Sequence, residues 1–335
     1  STQVNTISTS TLAAVKGSQL ALMSTQQVHD LATSSVANLT TTQIASLTTD
    51  QIVGLVAAQL GAMGDKVTGL TANQVAAIET ADFEKLSTRV IANLSATQFK
   101  ALTTDQVIAL TTAQAASLTF EQVSTLTTAQ ISKMETADLA KLDTAHFQAL
   151  SANSIGALTT DQFKALATDQ VNALTQPQIK ALKTSQLVAL STDQAAALSS
   201  SFVSQLSAAQ LASIETADLE KLSTSAIANL SAMQVKALTT AQLVALSSGQ
   251  ASKLTSDQVV ALSTAQLVAI ETDDLAALST AAISNLSGAQ IKSMTTDQLV
   301  ALTTTQVAKL TTDQVKSLTS TQLSKMETAD LAKLS

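Results

Sequence analysis

Five pairs of carboxylates are the residues of this chain best spaced for chemistry. Glu135 and Asp138 stand three apart, which puts both on one face of a helix where they could share a cation. The same pattern, Glu-Thr-Ala-Asp-(Leu/Phe), begins at Glu79, Glu135, Glu215, Glu271 (there with Asp273 for Ala) and Glu327, and supplies Asp82, Asp138, Asp218, Asp274 and Asp330. Calcium normally takes six or more oxygens and a tight Gly turn. The pattern has neither, so it reads as a set of alternative helix caps in preference to calcium sites, and no cofactor is expected. His29 and His146, the only histidines, occupy unrelated positions and read as incidental. Serine and threonine abound, but none sits in a Gly-x-Ser-x-Gly turn or beside a base. No catalytic, cofactor-binding or metal-ligating residue is assigned, and the chain reads as not an enzyme. Lys100, Lys164, Lys180 and Lys236 each neighbour a hydrophobic residue, as on a solvated helix face. With a net charge of −7, nucleic acid is not an expected partner.

Those residues sit within an octad, Leu-(Thr/Ser)-Thr-x-Gln-(Val/Ile/Leu)-x-Ala, that fills nearly the whole chain. Its Leu position runs through Leu102, Leu110, Leu118, Leu126, Met134 and Leu142 to Leu334, always eight apart. From Leu70 there are 33 such units, 22 of them with Gln in fifth place. Upstream the spacing runs from Ile7 through Val15, Met23, Leu31, Leu39, Leu47 and Leu55 to Met63, after which one unit has only seven residues. Gly54, Gly61, Gly64 and Gly69 crowd that spot, so a flexible joint or a change of coil geometry is expected there. The chain therefore divides into 1–62, looser repeats that form a cap or docking segment, a Gly-rich irregular joint at 63–69, and a regular array at 70–335.

Apolar residues at the first and sixth positions give spacings of five and three, which excludes strand alternation. A continuous helix fails too: eight residues overshoot two turns by about 80°, so the apolar stripe would wind round the rod. The chain must break direction in every unit, and the motif carries the signal. In Thr103-Thr104-Asp105-Gln106 the Thr103 hydroxyl can cap the amide three residues on, while Gln106 reaches back to the amide of Thr103. Asp105 then lies in the first helical turn, as does Pro177, the only proline. Each predicted unit is a helix of about one and a half turns, closed by its Leu and followed by the next cap. One Leu and one Val offer roughly 3–6 kcal/mol of burial, less than the roughly 1 kcal/mol or more per residue needed to order the backbone. Such helices exist only when stacked, so the expected fold is all-α: a solenoid or superhelical coil of very short capped helices, one per octad. The scarcity of aromatics fits a thin core with little room for large side chains.

A longer period overlies the octad. The acidic variants recur at intervals of 56, 80, 56 and 56 residues, making a supra-repeat of seven units with one copy extended by three. If an insertion must keep the phase of the coil, 24 residues make one full turn; slippage during gene duplication explains the interval equally well. The unit after each acidic variant carries Val90, His146, Ala226 or Ala282 where Gln is expected, which implies a recurrent special contact within the coil or between molecules.

Leu254-Thr-Ser-Asp-Gln-Val-Val-Ala-Leu262 resembles the opening helix of the DNA-reading repeats of TAL effectors. The base-reading loop and second helix of that family are missing, so the likeness is one of capping physics and no function carries over. In composition the chain is similar to bacterial repeat-rich secreted surface proteins of the S-layer, filament and large-adhesin types: acidic, rich in Ala, Thr, Ser, Leu and Gln, without Cys, Trp or Tyr. That resemblance implies an extracellular or cell-surface location in a bacterium. Ser1-Thr-Gln-Val-Asn-Thr-Ile shows no signal peptide, so export would use a C-terminal signal or a dedicated machine, with Leu334-Ser335 as a cut point in a longer array. No apolar run of about 20 residues could span a membrane. The expected function is a structural subunit of a surface layer, filament or sheath that self-associates. The alternatives are a stalk or ligand-binding region of a large secreted adhesin, and an ordered hydroxyl array that binds ice or cell-surface polysaccharide.

Overall fold

Forty α-helices and one 3-10 helix follow one another through residues 9–334, the residues that the computed structural model describes, with no strand among them. Ile7, the first apolar position of the array, lies outside the described residues, as does Ser335. The α-helices are four to six residues long. That of the Leu102 unit, Thr104–Ile108, shows why. Thr103 at its N-cap is extended (φ −70°, ψ 159°) and its hydroxyl accepts from Gln106 N, while Gln106 Oε1 accepts from Thr103 N. Seven residues after Thr103, the Leu110 amide donates to Val107 O, and Thr111 opens the next cap. Pro177 sits in the first turn of Gln176–Ala181, where its missing N–H costs little.

Two compact units divide the chain, residues 1–166 and 167–335. Within each, a helix packs on the third helix along: in the first unit Thr33–Asn38 on Ala57–Ala62 and Phe120–Ser124 on Thr144–Ala149, in the second Thr192–Ala197 on Thr216–Lys221 and Gly288–Ser293 on Thr312–Ser317. Three octads, 24 residues, thus make one turn of the coil, the period read from the 80-residue interval. First- and sixth-position side chains fill the interior, as Leu102 and Val107 do. Burial across the turn supplies what a lone one-turn helix lacks.

The core is roomier than its composition implies. Phe83, Phe99, Phe147 and Phe163, all in sixth position, and Phe202 in fifth, are fully buried. Five layers thus hold a large ring, so the scarcity of rings is not a limit of space.

The seven-residue unit keeps the stack. Gly64–Gly69 is a 3-10 helix that packs between Thr41–Ser46 and Thr88–Asn93, as an octad helix would. Its Val67 is buried. Gly64 adopts φ +55°, and a Cβ at Gly69 would lie 2.7 Å from Thr41 Cα, so both positions require glycine. Asp65 accepts from Arg89 and from Asn93, which ties this helix to the next turn.

Candidate functional site

The fifth position of the octad is the most elaborated place in the coil. Gln106 is buried, and beyond its capping role its Nε2 donates to Val75 O (2.9 Å) and Ile78 O (2.8 Å), 31 and 28 residues earlier. Those carbonyls lie at and just beyond the C-terminal end of Ala72–Ala76, where an α-helix has spare acceptor capacity; Val75 O also accepts from Ile78 N. One side chain therefore caps the start of its own helix and the end of another in the preceding turn. Gln51 does the same to Leu20 and Met23, Gln162 to Ile131 and Met134, Gln242 to Leu211 and Ile214, and Gln314 to Ile283 and Leu286. The tie survives the short unit, because Gln98 donates to Val67 O and Leu70 O.

Other residues in this position show what the slot demands. Ser154 Oγ donates to Leu126 O at 3.1 Å, again 28 residues back. His146 is not incidental: its Nε2 lies 3.0 Å from Leu118 O and its Nδ1 2.7 Å from Asp143 Oδ1. Both contacts are hydrogen bonds only when both ring nitrogens carry protons. Asp143 also accepts from the His146 backbone N–H, and that bond, followed by the ring, holds its carboxyl below the usual range. Val90, Ala226 and Ala282 leave the slot apolar, capped by Ser87, Ser223 and Ser279. His29 is exposed and lies 3.3 Å from Asp30.

The acidic variants invert the chemistry of the slot. Glu79, Glu135, Glu215, Glu271 and Glu327 are N-caps, but none makes a side-chain cap bond, so they do not act as alternative caps. Asp138, Asp218, Asp274 and Asp330 are buried where Gln stands elsewhere, with Asp138 only 1% exposed. Both carboxyl oxygens of Asp138 and Oδ2 of Asp274 are buried without a partner. Burial, then the nearby Glu135 charge, pushes the Asp138 carboxyl up to about 6; burial likewise raises Asp218 and Asp274. Asp82 differs, being half-buried and accepting from Ala57 N at 3.1 Å.

No group of three or more His, Cys, Asp or Glu among the described residues could hold a metal ion. Lys100, Lys164, Lys180 and Lys236 are exposed in the last turns of their helices, where a cation suits the dipole. A shallow cleft lined by Thr272, Thr296, Asp297, Val300, Ala301 and Lys325 brings no catalytic grouping together. No helix among the described residues is long and apolar enough to cross a membrane.

Within each compact unit, capped one-turn helices, three to a turn, with donors tying one turn to the one before, define a repeat protein of the α-solenoid class. The chain belongs to the ALTTAQ repeat family, which matches it at residues 75–112, 131–168, 139–176, 211–248, 267–304 and 296–328, together just over half of its length. Two of these matches overlap with a shift of eight residues, one octad. No curated protein matches the chain.

Proposed function

We propose that the chain is a structural, non-enzymatic subunit of a bacterial extracellular assembly, a surface layer, filament or sheath built by self-association, and that it needs no cofactor. The observation that carries this reading is the fifth-position amide. Within each compact unit, Gln after Gln donates to the carbonyl 28 residues earlier and to one 30 or 31 residues earlier, as Gln106 and Gln266 do, so turns are added by adding octads and the framework does not depend on any single site. The side chains left outside are largely Thr, Ser and Ala, with Lys, Asp and Glu among them, repeated at fixed intervals. Such a surface presents the same contacts again and again, which suits a lattice of identical copies. A stalk in a large adhesin draws support from the same additive geometry, since reach would then scale with repeat number. Electron microscopy of the purified protein at rising concentration, with and without calcium, tests the proposal. Ordered filaments or sheets are expected without calcium; particles that never associate would overturn the subunit reading and favour the stalk.

A further inference from the structure

The polar occupants of the fifth-position slot are donors, and three of the acidic ones can donate only when neutral. Asp138, Asp218 and Asp274 lie in Thr136–Leu139, Thr216–Lys221 and Thr272–Ala277. Gln, Ser154 and His146 all reach the carbonyl 28 residues earlier. The same register sets Asp138 opposite Leu110, Asp218 opposite Leu190 and Asp274 opposite Leu246. A carboxylate is an acceptor only, whereas a neutral carboxyl has one O–H to give. The buried, unpartnered oxygens of Asp138 are those of a group with no donor to meet.

We propose that Asp138, Asp218 and Asp274 are proton-operated latches between successive turns: the neutral acid donates to the carbonyl 28 residues earlier, and ionisation releases it.

The surrounding charges favour the neutral form. Thr136–Leu139 packs on Thr112–Ala115, which has no charged residue, and on Thr160–Lys164, which brings exposed Asp161 and Lys164; Glu135 is its own N-cap. Thr216–Lys221 carries Glu220 and Lys221 behind its N-cap Glu215, and packs on Thr192–Ala197 with Asp193 and on uncharged Thr240–Val244. Thr272–Ala277 has Asp273 and its N-cap Glu271, and packs on Ser248–Ala251, whose Ser248 hydroxyl donates to Asp274, and on Thr296–Val300 with Asp297. A carboxyl raised from 3.8 to about 6 binds its proton roughly a hundredfold more tightly than an ordinary one. The folded state therefore holds the extra proton between those values, and the latch at Asp138 opens as pH rises through about 6.

The test compares thermal unfolding of the full chain with that of a D138N/D218N/D274N variant between pH 5.5 and 7.5. Asn is neutral throughout, while the change in overall charge is common to both proteins. The native chain is expected to melt at lower temperature at pH 7.5 than at pH 5.5, and the variant to lose most of that difference. Parallel pH profiles would overturn the proposal. Should the Asn variant not fold, D138Q/D218Q/D274Q places the consensus residue in each slot and makes the same comparison. Amide hydrogen exchange gives the local readout. Corrected for intrinsic rates, exchange around residues 110–115 and 138–139 should quicken at pH 7.5 in the native chain alone; no quickening there would also overturn it.

Discussion

Replacing Gln106 by Glu changes one NH2 for an oxygen and tests the double cap directly. The Thr103 amide keeps its acceptor, but Val75 O and Ile78 O lose the Gln106 donor, Val75 O retaining only the Ile78 N–H. Two hydrogen bonds at roughly 0.5–1.5 kcal/mol each disappear. A buried carboxylate then faces two carbonyls, and its cheapest escape is to take up a proton. Holding an acid with an ordinary value near 4.3 neutral at pH 7.5 costs about 4 kcal/mol, which caps the penalty. We therefore expect Q106E to destabilise its segment by roughly 3–4 kcal/mol at pH 7.5 and by only about 1 kcal/mol near pH 4.5, where the neutral acid still donates one bond. Gln106→Met, which gives up donor and acceptor without adding charge, should cost about 2–3 kcal/mol at either pH. Native-state hydrogen exchange at residues 75–78 and 104–108 reads the local opening energy, which a repeat array can hide from a global melt. If Q106E costs no more than Thr103→Ala at pH 7.5, or if its cost does not change with pH, the inter-turn role of the amide is wrong.

Thr103→Ala, Thr127→Ala and Thr239→Ala each remove the hydroxyl that accepts from the amide three residues on. Each should lower stability by about 1 kcal/mol, and unchanged helicity and melting in the triple variant would refute the capping box. Glu135→Thr with Asp138→Gln restores the consensus unit; a melting temperature higher than that of the native chain at pH 7.5 is expected, with the gain shrinking as pH falls, because the raised Asp138 carboxyl contributes stability that is lost as pH rises through about 6. His146→Ala should cost about 1–2 kcal/mol through the bond to Leu118 O, whereas His146→Gln should melt close to the native chain. Gly69→Ala forces a methyl against the Thr41 backbone and should cost about 1–3 kcal/mol. Gly61→Ala, in Ala57–Ala62 with nothing within 4 Å, should stabilise by about 0.5–1 kcal/mol in the same calorimetric comparison.

The octad, the helix in each unit and the capping box at Thr103 and Gln106 were all legible in the residues, because they depend on neighbours within eight positions. The second bond of Gln106 was not, since its partners at Val75 and Ile78 are set by how many helices close a turn, and periodicity says which residues are equivalent without saying which ones meet. A signal was nonetheless present. Glu serves a capping box as well as Gln does, yet 22 units from Leu70 on have Gln in fifth place and none has Glu, which marks a use for the amide's donor. The same omission made Asp138 read as an alternative helix cap when it is buried, and left His146, placed where Gln is expected, without its partner Leu118 O. The buried Phe residues escaped because a composition average reports how rarely a ring is used, not whether a layer can hold one.

A period of seven units laid on a coil of three has a mechanical result. Fifty-six residues are two full turns and one helix more, so each acidic unit advances by a third of a turn over the last. In the second unit Asp218, Asp274 and Asp330 therefore fall on three different sides of the coil, one to each. Weak seams aligned on a single side would make a hinge that swings in one direction. Distributed evenly over three sides, they favour no single direction of bending.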